Sequence, residues 1–134
     1  MNAFHSIAWL DEGIVRMLDQ RKLPLETIYN DYKTHSEVAA AIKDMVIRGA
    51  PAIGAAAAYG LALTAHHTQA TDTESLRIEL ADALNTLSQS RPTAVNLFWA
   101  LDRMNRRIAD PALDSVAALQ NAALAEAHAI AEED

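Results

Sequence analysis

The chain has 134 residues, enough for one domain with a buried core, and 51% of them are hydrophobic. Its formal net charge of −7 argues against nucleic acid as a partner, because proteins that bind it usually present a basic face. There is no cysteine, which excludes disulfides and thiolate metal sites. Residues 50–65, the longest apolar stretch, are mostly alanine and too few to span a bilayer, and no secretory signal core precedes them. We therefore expect a cytoplasmic protein without membrane contacts.

Residues 1–32 predict a small three-stranded antiparallel sheet. Two short apolar runs, over residues 6–10 and 14–18, are separated by a turn signal that ends at Gly13. A third run, over residues 25–32, is rich in residue types that favour strands.

Residues 34–134 predict a bundle of about five helices, because the apolar period changes there to that of a helix. Thr34 and Glu37 have the spacing of a capping box that opens the first helix. We expect this helix to end at Gly49 and the second to open at Pro51.

The second helix is predicted to lie at the centre of the bundle, since small residues along one of its faces permit close approach of neighbouring backbones. These residues are Ala52, Ala56, Gly60 and Thr64. A second capping box, formed by Thr71 and Glu74, is predicted to open the third helix. The whole pattern predicts one α+β domain over residues 1–134.

The fourth helix is predicted to begin at Pro92 and Thr93, with the threonine as its cap. Its inward face is predicted to carry Leu97, Phe98, Leu101, Met104 and Ile108. A fifth helix is predicted from about Ser115 to the end of the chain. There, the acidic residues 132–134 lie unfavourably at the negative end of a helix dipole. We therefore expect a fragment whose last helix is interrupted, and a frayed acidic tail is the alternative.

The first candidate functional segment is a helix–turn–helix corner at Arg48, Gly49 and Pro51. Gly49 can adopt a positive φ, and a proline in the first helical turn gives up an amide that would have no partner. The remaining free amides point outward, where an anion is stabilised, and Arg48 adds a permanently charged fork. The corner predicts a phosphate seat; a structural turn with a solvated arginine is the alternative.

The second segment repeats this arrangement, because Arg91 immediately precedes a predicted helix start. Thr93 can cap that helix, and Asn96 can bond back to the cap or face a ligand. Two such corners could converge on one phosphate. Alternatively, Arg91 pairs with one of the 18 acidic side chains.

Three stretches of the chain together resemble the methylthioribose-1-phosphate isomerases. They are Arg48–Gly54 (RGAPAIG), Arg91–Leu97 (RPTAVNL) and Leu18–Pro24 (LDQRKLP). This family also contains ribose-1,5-bisphosphate isomerases and regulatory subunits of a translation initiation guanine-exchange factor. The third stretch favours the isomerase branch.

The resemblance implies that the substrate is 5-methylthioribose 1-phosphate and the product 5-methylthioribulose 1-phosphate, an aldose–ketose isomerisation in methionine salvage. It implies that Arg48, Gly49, Ala50 and Arg91 bind the substrate, that no cofactor or metal is needed, and that the full-length protein is a homodimer. A regulatory interaction module, like that of the translation-factor branch, is the alternative function.

The resemblance also implies that the catalytic residues lie outside this chain. In the family a cysteine and an aspartate do the chemistry from a C-terminal Rossmann-like domain, which this chain lacks. We therefore expect no catalytic residue in these 134 residues and no isomerase activity from them alone. An apolar face left uncovered would favour self-association or marginal stability.

The remaining conspicuous side chains are predicted to be structural. Adjacent His66 and His67 diverge on a helix and make poor joint metal ligands. The aromatic residues Trp9, Phe98 and Trp99 are predicted to lie in the core. A solvated acidic face is predicted at Glu126, Glu132, Glu133 and Asp134.

Overall fold

The computed structural model describes residues 6–133, which form a three-stranded sheet followed by five helices. The strands are β1 (Ile7–Leu10), β2 (Ile14–Leu18) and β3 (Tyr29–Tyr32), antiparallel in the order β1-β2-β3. Both the sheet and the helical bundle confirm the predicted α+β fold.

The third strand begins four residues later than the predicted Leu25. Residues 20–22 form a single 3₁₀ turn after β2, and the amide of Glu26 bonds back to the carbonyl of Lys22. Leu25 is therefore 92% exposed rather than paired in the sheet. The residue types that favour strands gave no sign of this turn.

The five helices are α1 (His35–Lys43), α2 (Ala50–His66), α3 (Thr73–Ser88), α4 (Val95–Ile108) and α5 (Val116–Glu132). Helix α2 is the centre of the bundle, as predicted, and packs against each of the other four. It is buried over almost its whole length from Ile53 to Ala65. A Cβ on Gly60 would lie 3.1 Å from side-chain carbons of Val38 and Leu87, so a small residue is needed for this packing.

The prediction that α1 continues to Gly49 is wrong, because the helix ends at Lys43 in a Schellman motif. Met45 has a φ of 65°, and the amide of Val46 bonds to the carbonyl of Ala41. Glycine usually takes this left-handed position, so a methionine there gave no stop signal. Because α1 ends early, Val46 and Ile47 lie outside the helix and are buried against the rest of the core.

Three helices begin with a side chain that bonds to a free backbone amide. Thr34 and Glu37 form the predicted capping box of α1, and Ser115 accepts from the amide of Ala118 in α5. The predicted Thr71 box is wrong: Asp72 caps α3, because its carboxylate accepts from both the amide and the hydroxyl of Ser75.

Two predictions about burial also need correction. Phe98 and Trp99 are 42% and 48% exposed, and only Trp9 of the three aromatics packs inward, stacked on Tyr59. The acidic face of α5 is partly paired rather than solvated. Arg103 of α4 forms salt bridges with two of its carboxylates and lies over the Trp99 ring; these carboxylates are Glu126 and Glu133. Asp134 lies outside the described residues.

No helix within residues 6–133 is both long enough and apolar enough to cross a membrane.

Candidate functional site

A cleft of about 370 Å³ opens where α2 and α4 begin. All four residues predicted to bind substrate line it, together with Asn96, which was expected either to bond back to its helix or to face a ligand. The complete lining is Met45, Arg48, Gly49, Ala50, Ile53, Arg91, Ala94, Val95 and Asn96. The structure thus brings together two corners that are more than 40 residues apart in the sequence.

The α2 corner presents free amides to this cleft. Gly49 is the N-cap with a φ of 97°, a conformation that other residues adopt only with strain, and it has no side chain with which to cap. The first backbone bond of the helix runs from the amide of Ile53 to the Gly49 carbonyl. The amides of Ala50 and Ala52 therefore precede any intrahelical acceptor, while Pro51 has no amide to satisfy.

The α4 corner is open in the same way. The prediction that Thr93 caps this helix is wrong: a tight turn, closed by the bond from the Ala94 amide to the Arg91 carbonyl, makes Ala94 the N-cap. Alanine has no capping group, so the amides of Val95 and Asn96 have no side-chain acceptor at the helix start. Both helix dipoles thus present their positive ends to the cleft.

The two arginines of the cleft are not neutralised by nearby acidic groups. Within residues 6–133, neither Arg48 nor Arg91 forms a salt bridge, so the alternative in which Arg91 pairs with a carboxylate is not observed there. Arg48 donates one hydrogen bond, from Nη2 to the backbone carbonyl of Gln20, at 3.3 Å. By contrast, Arg16 and Arg103 are engaged by carboxylates. The cleft lining contains no acidic residue.

Positive charge and free amides make the cleft suited to an oxyanion although the chain as a whole is negative. Guanidinium groups bind phosphate oxygens in pairs, and helix-start amides add short charge-assisted bonds. Met45 and Ile53 give the cleft one apolar wall. Sequence reasoning missed Met45, because it placed this residue inside α1.

A model of the Initiation factor 2 subunit family matches residues 46–134, well over half of the chain. The match includes both cleft corners. The chain belongs to the Initiation factor 2 subunit family.

Curated relatives of this family domain are isomerases by name. The chain is 52% identical to methylthioribose-1-phosphate isomerase from Synechococcus sp., covering 100% of this chain and 38% of that protein. It is 48% identical over 92% of its length to the enzyme of the same name from Syntrophotalea carbinolica, of which it covers 36%. The chain thus spans less than two fifths of the length of these relatives.

Solved structures of both branches resemble this family domain closely. The 5-methylthioribose 1-phosphate isomerase of Pyrococcus horikoshii superimposes with a TM-score of 0.92 at 40% identity, covering 96% of this chain and 36% of that one. Subunit delta of translation initiation factor eIF-2B from A. fulgidus gives 0.90 at 39% identity, with coverage of 98% and 38%. Backbone shape alone therefore does not separate the isomerase branch from the translation-factor branch.

Three histidines of the family domain, His35, His67 and His128, make hydrogen bonds within the protein. His35 lies 2.9 Å from the Thr64 hydroxyl, and His128 lies 2.8 Å from the Tyr59 hydroxyl. His67 lies 2.7 Å from the Gly13 carbonyl. Over residues 6–133 no three histidine, aspartate or glutamate side chains are grouped so as to hold a metal ion.

Burial shifts the titration of two of these groups. It raises the pKa of Tyr59 to about 12, with a smaller contribution from the charge of Glu132. Burial also lowers the pKa of His35, partly offset by the charge of Asp82. Neither Tyr59 nor His35 lines the cleft. The hydrogen bond of Tyr59 joins α2 to α5, and that of His35 joins α1 to α2.

Proposed function

We propose that this chain is the N-terminal substrate-binding domain of an aldose–ketose isomerase that converts 5-methylthioribose 1-phosphate to 5-methylthioribulose 1-phosphate, a step of methionine salvage. The observation that carries the proposal is the convergence on one cleft of two open helix starts and two arginines that form no salt bridge within residues 6–133. In this proposal Arg48, Gly49, Ala50 and Arg91 bind the phosphate of the substrate.

A sugar phosphate fits the chemistry of this cleft better than an uncharged ligand does. Its phosphate carries up to two negative charges and three free oxygens, which match the guanidinium forks and the helix-start amides. A neutral ligand would offer these donors fewer and weaker acceptors, and each buried donor left without one costs about 1–3 kcal/mol. The names of the curated relatives support this ligand class.

The groups that move the proton or hydride between neighbouring carbons are proposed to lie outside these 134 residues. The cleft lining offers no carboxylate, histidine or cysteine for that step. The chain alone is therefore expected to bind the sugar phosphate without isomerising it. Product formed by the purified chain, above the background of a mock purification, would contradict this part of the proposal.

A regulatory interaction module is the second candidate, favoured by the likeness to subunit delta of translation initiation factor eIF-2B. Such a module has no need of unpaired arginines beside free amides. Sugar-phosphate binding that depends on those arginines therefore separates the two candidates.

The test is calorimetric titration of the chain with 5-methylthioribose 1-phosphate. Arg48→Ala and Arg91→Ala are each expected to weaken binding by about tenfold or more, in line with the loss of a charge-assisted, bidentate contact. Lysine at either position should restore only part of the affinity, because it keeps the charge and loses the fork. Arg106→Ala is the matched control, since Arg106 lies on α4 in an exposed pair with Asp102 away from the cleft.

Three outcomes would overturn the phosphate-binding role: no binding by the unaltered chain, equal losses in the Arg106 control, or undiminished binding of unphosphorylated 5-methylthioribose. The last of these matters because the sugar alone has no anionic group to bind both guanidinium forks.

A further inference from the structure

We propose that the turn formed by Asp19–Lys22 is a positioning element that holds Arg48 in place for the anion. This inference rests on the proposed function of the cleft and assigns a role to the Leu18–Pro24 stretch, which lines no part of that cleft. Arg48 contacts the ligand, whereas the turn acts only through Arg48.

Two backbone groups of Gln20 connect the turn to the segment that carries Arg48. The Gln20 amide donates to the carbonyl of Val46 at 2.8 Å, and the Gln20 carbonyl accepts from Nη2 of Arg48 at 3.3 Å. One bond thus fixes the backbone two residues before Arg48, and the other fixes the end of its side chain. Residues 44–49 belong to no helix, so these bonds restrain a connection that regular structure does not.

Asp19 holds this turn in place, and its carboxylate is buried, where charged groups are rarely found. Asp19 is only 2% exposed, and its oxygens accept from the amide, Nε and Nη2 of Arg21 and from Nδ2 of Asn30. Its own amide donates to the carbonyl of Ile28. The hydrogen bonds and the charge of Arg21, with a smaller contribution from the hydrogen bond of Asn30, hold the pKa of this carboxyl at about 2 although burial opposes ionisation.

Within residues 6–133, Asp19 and Ser90 are the buried polar side chains. Each lies one residue from a group that bears on a cleft arginine: Asp19 precedes Gln20, whose carbonyl accepts from Arg48, and Ser90 precedes Arg91. Ser90 donates from its hydroxyl to the Leu87 carbonyl and fixes the end of α3 just before that arginine. Arg48 thus has a buried polar side chain behind its backbone contact, and Arg91 has one next to it in the chain.

Restraining Arg48 favours binding because a free arginine side chain has about 2 kcal/mol of rotamer entropy to lose when it is fixed on a ligand. An arginine whose side chain is already restrained loses less rotamer entropy on binding, and its guanidinium group meets the anion with less rearrangement.

The test is a double-mutant cycle on phosphate affinity, measured with inorganic phosphate and the 134-residue chain. Asp19→Asn removes the charge that holds Arg21 and is expected to weaken phosphate binding by about three- to tenfold, a coupling typical of residues in one network. In the Arg48→Ala background the same substitution is expected to change affinity by less than about twofold, because the group it positions is gone.

Two controls keep a general structural effect apart from positioning. Asp31→Asn removes the charge of another arginine–aspartate pair, the one that joins Arg16 of β2 to Asp31 of β3, and should leave phosphate affinity unchanged. Gln20→Ala should also leave it unchanged, because the contact to Arg48 is made by the backbone carbonyl. If Asp19→Asn fails to fold, Arg21→Lys is the substitute: the Arg21 side chain is 45% exposed, and lysine keeps the charge while losing the bidentate contact.

An effect of Asp19→Asn or Arg21→Lys that persists undiminished without Arg48 would overturn the positioning role, and so would the absence of any effect in a chain that binds phosphate. In both cases the proposed function of the cleft would stand. Failure of the unaltered chain to bind phosphate would overturn the proposed function and the positioning role together.

Discussion

The helices of this domain begin in two different ways. At α1, α3 and α5 the free amides of the first turn are bonded by side chains, from Thr34, Asp72 and Ser115. At α2 and α4 the N-caps are Gly49 and Ala94, which have no capping group. The first three starts are spread over the surface, whereas the last two meet at one cleft.

Under the proposed function, the cleft gives up stability for binding. A capping side chain contributes about 1 kcal/mol relative to alanine, so α4 would gain from serine or aspartate in place of Ala94. At the three closed starts, the amides that would attract an anion are already used. At the two open starts they remain free, next to two arginines that no carboxylate within residues 6–133 engages.

Closing the α4 start should have the largest effect on binding. Ala94→Asp supplies the missing cap and places a carboxylate in the cleft, where it takes the amides and repels a phosphate. Phosphate affinity is expected to fall by about 100-fold, roughly 2.7 kcal/mol, while the free energy of unfolding rises by about 0.5–1 kcal/mol. Calorimetry and urea unfolding measure the two changes. A variant that gains stability and keeps full affinity would contradict the account.

Opening a closed start should have the opposite pattern. Thr34→Ala and Ser115→Ala each remove one side-chain cap and are expected to lower the free energy of unfolding by about 1 kcal/mol. Phosphate affinity should not change, because α1 and α5 do not begin at the cleft. New phosphate binding at either opened start would show that free amides suffice without arginines.

A smaller effect is expected where the two open helices touch. A Cβ on Gly54 would lie 3.3 Å from the backbone carbonyl of Asn96, so Gly54→Ala should shift the start of α4 by a few tenths of an ångström. We expect phosphate affinity to fall about two- to threefold, since contacts with a bound ion depend on its geometry. The matched control is Gly60→Ala, whose Cβ would crowd the core side chains of Val38 and Leu87 at 3.1 Å and not the backbone of α4. An equal loss of affinity in both variants would reject the local explanation.

The smallest effect is expected in the pH dependence of the unfolding free energy, through the Asp72 cap of α3. Hydrogen bonds from the amide of Ser75, and then from its hydroxyl, lower the pKa of Asp72. Its stabilisation is therefore present above the ordinary carboxyl pKa and is lost as the pH falls through the lowered native value. Asp72→Asn should flatten this part of the curve of unfolding free energy against pH, measured in urea. An unchanged curve would mean that the cap is not made in solution.

Much of the fold follows from the periodicity of the sequence. Three strands, five helices and a central α2 are confirmed, because apolar spacing and the small residues Ala56 and Gly60 constrain what can pack there. The cleft residues Arg48, Gly49, Ala50 and Arg91 were identified from two arginine-plus-helix-start corners and a family resemblance. Their role in substrate binding stays a prediction.

The features that sequence analysis missed depend on tertiary contacts, or on a residue that is unusual for the motif in which it lies. Met45 ends α1 in a left-handed conformation that glycine usually marks. Thr93 looked like a cap, but a tight turn moved the cap one residue on to Ala94. The ion pairs of Arg103 join α4 to α5, and no local pattern encodes such a pairing.

The most direct test is a titration of the isotope-labelled chain with inorganic phosphate, followed through the backbone amide signals in solution NMR. The account predicts saturable shifts at Ala50, Ala52, Val95 and Asn96, the amides of the two open starts. The signals of the Glu37, Ser75 and Ala118 amides, which already donate to side chains, should not shift. Shifts of equal size at open and closed starts, or none at the cleft, would contradict the claim that the open helix starts form an anion site.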